Sequence, residues 1–160
     1  FPKTYFSGQQ IIQRLETFRE RAVPNTQVHR SLGRHLYHGM LGLAQNPVLR
    51  FACVGNSSSG LKETPAFNCP SVNIGSRQEG RLRGENALDV GYDCSAITAA
   101  VRRCLFDEKF RELCRHAENP YGLGDAGTKI AHVLATVPLD QNLIRKRMTL
   151  KGETKEGWFR

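Results

Sequence analysis

The sequence has no apolar run approaching the roughly 20 residues that a membrane-spanning helix needs, and no signal-peptide pattern. Those two absences make a cytoplasmic location the expectation. There is no CxxC pair, and the cysteines at 53, 69, 94, 104 and 114 are odd in number. Neither a disulfide framework nor a zinc ribbon is therefore supported. Cys94, Cys104 and Cys114 recur every ten residues, a spacing that matches no metal site. Reduced, mostly buried thiols are expected instead. No initiator methionine opens the chain, which begins FPKTYF as a fragment of a longer protein would. Internal repeats and low-complexity segments are also lacking. Acidic residues are in deficit: 15 Asp and Glu stand against 23 Lys and Arg, a net charge of +8.

What is present is globular. Hydrophobic residues make up 39% and charged residues 24% of 160, enough for one domain with a sizeable core. The basic excess suits a phosphate-bearing partner, from nucleic acid to nucleotide sugars. Its most basic stretch, the tail RKRMTLKGETKEGWFR, lacks the interleaved aromatics of single-strand binders. A solvated end, or a segment crossing onto another domain, fits it better, with 152–160 loosely held.

Along the chain, Ile11, Ile12, Leu15, Phe18 and Ala22 fall on one helical face within 8–22, and Pro24 and Asn25 break that helix. A short extended run over 26–30 and a second helix over 33–46 are expected next. Residues 51–54, 71–74 and 87–90 are short apolar stretches that read as strands. A short helix is expected over 61–68, with further helices near 93–105, 107–117 and 126–136. Strands alternating with helices indicate an α/β domain with a mainly parallel sheet.

The chemistry concentrates between Gly55 and Arg81. GNSSSG follows a buried strand and precedes a helix, so its free N–H groups can face an anion, with hydroxyls from Ser57, Ser58 and Ser59. Open α/β sheets bind ligands at this edge. A single helix-capping serine is the simpler alternative. Glu63 falls in the first helical turn, where it either offsets the dipole or accepts hydrogen bonds from ligand hydroxyls. Arg77 and Arg81 lie on the loop after the next strand, where a guanidinium fork suits phosphate.

GNSSSGLKETPAF, PSVNIGSRQEGR and GEN together resemble the hydrolysing UDP-N-acetylglucosamine 2-epimerases, with SLGRHLYHGML before them and NPYGLGDAGTKIAHVL after. The resemblance covers roughly residues 26–136. It implies one half of a GT-B fold: a Rossmann-like, mainly parallel sheet flanked by helices, over 1–136, followed by a basic tail, 137–160. It also implies conversion of UDP-N-acetylglucosamine to N-acetylmannosamine and UDP, by elimination to a glycal and then hydration, in sialic acid or surface polysaccharide biosynthesis. Ser57 and Ser58 match diphosphate-binding serines, Glu63 a ribose-binding glutamate, and Arg77 a nucleotide-contacting arginine. Ser59 and Arg81 share those motifs. Arg30 and Ser31 match a segment whose backbone approaches uracil. The family's PNxDxG-like segment has no counterpart in FPKTYFSG. Its first strand, and the amino-terminal domain holding the acid/base carboxylates, have none either. No catalytic pair can be named here, and no metal or cofactor is implied.

Other features read as structural. His35 and His38 stand three apart on a helix without a third ligand in sequence. His29, His116 and His132 are isolated. The loop 122–127, GLGDAG, is a second glycine-rich helix entry. The implied partners are UDP or a UDP-sugar and an amino-terminal domain, with a homo-oligomer left open and neither nucleic acid nor membrane expected. A bacillosamine-type UDP-diacetamido sugar as substrate, or a non-catalytic UDP-sensing module, remain alternatives.

Overall fold

Val72, Ile74, Leu88 and Val90 occupy alternate positions in two four-residue stretches, the pattern of strands that share one apolar face. The computed structural model describes residues 3–122, 124–144, 154–155 and 158–159. In it those stretches are β2 (Ser71–Ile74) and β3 (Ala87–Val90). With β1 (Cys53–Gly55) they form a parallel sheet in the order β1-β2-β3. Val54 stands opposite Val72, and Val72 opposite Leu88.

Successive side chains on a strand turn to opposite faces. Val72 faces Ala100 and Cys104 of α4 (Cys94–Phe106) and Phe110 and Cys114 of α5 (Glu108–His116), which together make the buried core. Ser71 faces the other way, beneath α3 (Ser59–Lys62). A Cβ on Gly60 would lie 3.0 Å from Ser71 Oγ, so glycine lets α3 rest close on the sheet. Helices cover both faces, as a Rossmann-like parallel sheet requires.

Local chemistry fixes the two long helices. The Asp93 carboxylate accepts from the Ala96 N–H at 2.9 Å, and Asp107 accepts from Lys109 and Phe110 N–H. Asp107 thus closes α4 and opens α5 in one residue. Arg111, on the buried side of α5, donates to the carbonyls of Leu49 and Pro47 and pins the chain entering β1.

Several expectations need correction. The first helix is α1 (Lys3–Glu20), and Ala22 lies beyond it with a positive φ. Its apolar face is exposed, Ile12 at 58% and Leu15 at 52%, because nothing within the described residues covers it. Residues 26–30, read as a short extended run, pair with no strand among the described residues. The second helix, α2 (Gly33–Gly42), gives way to a 3-10 turn over Leu43–Gln45. Strand β1 starts two residues later than expected, at Cys53. The helix expected over 61–68 is instead the single turn α3 followed by a 3-10 turn, Thr64–Phe67, which Pro65 opens.

The chain divides into two units, Phe1–Glu118 and Asn119–Arg160. The first holds the parallel sheet. The second, taken by itself, holds α6 (Ala126–Thr136), α7 (Gln141–Ile144) and the antiparallel pair β4 (Thr154–Lys155) and β5 (Trp158–Phe159). Most of the basic tail, 145–153, lies outside the described residues. No helix among the described residues is long and apolar enough to cross a membrane.

Candidate functional site

The GNSSSG loop leaves the carboxyl end of β1 through Gly55, whose φ of +154 only glycine adopts readily. Ser57 Oγ accepts from the Ser59 N–H, and the Ser57 and Ser58 carbonyls accept the first N–H groups of α3. The backbone N–H groups of Ser57 and Ser58 carry no hydrogen bond among the described residues. Ser57 is exposed and Ser58 half-buried. The α3 helix is one turn long, so the dipole expected behind this loop is small and its donors act individually. Ser59 is already engaged, its hydroxyl in a short hydrogen bond to Tyr37 Oη from α2. Burial pushes the Tyr37 phenol up to about 12, so it stays protonated at neutral pH.

Glu63 does not sit in the first turn of a helix. It lies at the junction where α3 ends and the 3-10 turn begins, so stabilisation by the α3 dipole does not account for it. Its Oε2 instead lies 2.7 Å from His38 Nε2, and the His38 ring packs against Phe67. Ser31, Leu32, Gly33, Arg34, Tyr37 and Glu63 line one open cleft of about 500 Å³. The fold therefore brings Ser31, 32 positions earlier in the chain, to Glu63. Arg30 turns elsewhere, into a groove against Ile12 and Leu15 of α1.

The loop leaving β2 reaches back to the GNSSSG loop. Arg77 Nη1 donates to the Asn56 carbonyl at 3.1 Å, and Gln78 Nε2 donates to the same oxygen at 2.8 Å. Adjacent strand-end loops thus converge, as parallel topology dictates. Gln78, 2% exposed, is the buried strut of this contact, and Arg77 the exposed one. Arg81 is exposed; its N–H donates to the Gln78 carbonyl and its own carbonyl accepts from Arg83. Arg83 Nε in turn pairs with Asp89 Oδ2 at 2.5 Å. Asn86, the Asn of GEN, is fully buried and donates to Thr64 Oγ1 and the Cys69 carbonyl. It ties the segment before β3 to Thr64, the residue after Glu63.

Four of these residues escaped the sequence reading as contributors: Tyr37, His38, Gln78 and Asn86. Gln78 and Asn86 stood inside quoted motifs beside charged neighbours, a usable signal. Tyr37 and His38 act across more than 20 residues of chain, where local pattern is silent. No group of three His, Cys, Asp or Glu side chains arranged to hold a metal occurs among the described residues. A larger hollow of about 690 Å³ runs along α1 between Gln10 and Arg21. It includes no residue of the convergent loops and is the open flank of an uncovered helix. The 122–127 loop belongs to the second unit, where Asp125 precedes α6 and pairs with Lys129 at 2.7 Å.

A parallel sheet covered on both faces, with polar loops converging at its strand ends, defines a Rossmann-like α/β unit. The chain belongs to the UDP-N-acetylglucosamine 2-epimerase family, whose model matches residues 2–135. It is 40% identical over 76 residues to the polysialic acid biosynthesis protein P7 of Escherichia coli, covering 46% of this chain and 19% of that protein. It is 37% identical over 93 residues to the hydrolyzing UDP-N,N'-diacetylbacillosamine 2-epimerase of Legionella pneumophila, covering 58% of this chain and 23% of that one. Against the UDP-N-acetylglucosamine 2-epimerase of Neisseria meningitidis serogroup B, identity is 32% over 75 residues, 47% of this chain and 19% of the relative. The chain thus matches about a fifth of the length of each of these relatives.

Proposed function

We propose that this chain is the UDP-binding half of a hydrolysing UDP-sugar 2-epimerase with a GT-B arrangement, acting on UDP-N-acetylglucosamine. The observation that carries the reading is the convergence of the β1 and β2 loops, where the Ser57 and Ser58 N–H groups have no partner among the described residues and Arg77 is held on the Asn56 carbonyl. In this reading Ser57 and Ser58 take the diphosphate, and Arg77 closes over the nucleotide with Arg81 nearby. Glu63 accepts from the ribose hydroxyls, and the backbone at 30–31 lies toward the uracil. The Ser59 hydroxyl serves the site through Tyr37, as a brace on the loop.

In the reaction, a base removes the C2 proton of the sugar while the C1–O bond to UDP breaks, leaving a glycal. Water then adds, its hydroxyl to C1 and a proton to C2 from the opposite face, giving N-acetylmannosamine. The diphosphate is the leaving group, and donors fixed on it stabilise the charge it gains as that bond breaks. The groups that move protons belong to the other half, so this half alone supplies binding and leaving-group stabilisation without turnover. The identity to the Legionella enzyme supports a second substrate, a UDP-diacetamido-bacillosamine-type sugar.

The full-length enzyme, assayed with both nucleotides, should release UDP and N-acetylmannosamine from UDP-N-acetylglucosamine. Product from the diacetamido sugar alone would overturn the first choice. In the same enzyme, Glu63→Ala should weaken UDP binding about tenfold or more, the scale of a lost hydrogen bond to a charged group, without altering the fold. Unchanged UDP affinity would remove the ribose role.

A further inference from the structure

We propose that His38 is a positioning residue for the ribose subsite: it fixes Glu63 with one carboxylate oxygen free, and so sets preference for a nucleotide with intact ribose hydroxyls. The inference rests on the ribose role proposed above for Glu63. At the α3 junction the Glu63 side chain makes no capping hydrogen bond, so helix capping does not fix it. An unrestrained glutamate would have to be ordered when ligand arrives, at a cost in side-chain entropy.

His38 removes that freedom beforehand. Its Nε2 engages Oε2 at 2.7 Å, and Oε1 has no partner among the described residues. The imidazole is itself held, with ring centroids 5.3 Å from Phe67 and 6.1 Å from Tyr37. Tyr37 is anchored in turn on Ser59. Two consecutive residues of α2 therefore grip two groups of the candidate site, Ser59 and Glu63, and a carboxylate held this way is preorganised to accept from a diol.

The test titrates UDP and 2′,3′-dideoxy-UDP into the full chain and into His38→Leu and His38→Gln. Leucine keeps apolar contact with Phe67 but cannot donate, whereas glutamine can. The wild type should prefer UDP. His38→Leu should lower that preference about tenfold with dideoxy-UDP affinity unchanged, and His38→Gln should recover most of it. A His38→Leu preference equal to wild type overturns the positioning role and leaves the ribose reading standing. Equal losses for both nucleotides in both variants mark a purely structural role and also overturn it. A wild type that fails to distinguish the nucleotides overturns the ribose reading, and this inference with it.

Discussion

Cysteine chemistry shows how much environment decides at the residue scale. Burial pushes the Cys69 and Cys114 thiols up to about 12 and Cys104 up to about 11, from an ordinary value of 9.0. Cys94 is exposed. A thiol reagent at mildly alkaline pH should therefore modify Cys94 quickly and the three buried thiols only on unfolding. Because their folded values are raised, these thiols contribute stability that is complete below about pH 9 and is lost as pH rises through 11 to 12. Denaturant midpoints should fall across that window. Rapid labelling of all five thiols in the native chain would contradict the packing of the α4–α5 face. Their odd number and spacing argued against a disulfide framework, but did not say which would be reactive, since burial is a property of the fold.

At the scale of elements, what was legible followed from local signals. Strands β2 and β3 fall where short apolar runs placed them, at 71–74 and 87–90. Helices α4 and α5 follow from the capping aspartates. The turn around Pro65 was less legible, because a proline there favours a 3-10 turn over a continued helix, and this moves Glu63 from a helix start to a helix end. Helix α1 shows the converse: its apolar face was readable, but its exposure was not. Asn86 joins elements that sequence keeps apart, linking the segment before β3 to Thr64 and to Cys69 before β2. Asn86→Ala leaves the buried Thr64 hydroxyl and Cys69 carbonyl without that donor, and should cost about 1–3 kcal/mol of stability by urea unfolding. A change within error would mean water replaces the amide and the brace is dispensable.

For the whole molecule, the two strand-end loops of the proposed nucleotide site both lie on one unit, Phe1–Glu118. Glycine and serine placement alone left the motif from Gly55 to Arg81 open between an anion site and a helix cap, and its proposed assignment to UDP came from resemblance. Its internal bracing came only from the structure: Gln78 beneath Arg77, Tyr37 on Ser59, His38 on Glu63. If the proposed reading holds and the proton-transferring groups lie in another half, the affinity of this chain for UDP should be weak and its turnover nil. Weak binding is read best site by site. The decisive measurement is an amide chemical-shift titration of the isotopically labelled chain with UDP up to millimolar concentration. Binding at the convergent loops predicts saturable shifts centred on Asn56 to Ser59, Glu63 and Arg77; no shifts, or shifts confined to residues outside those loops, would contradict it.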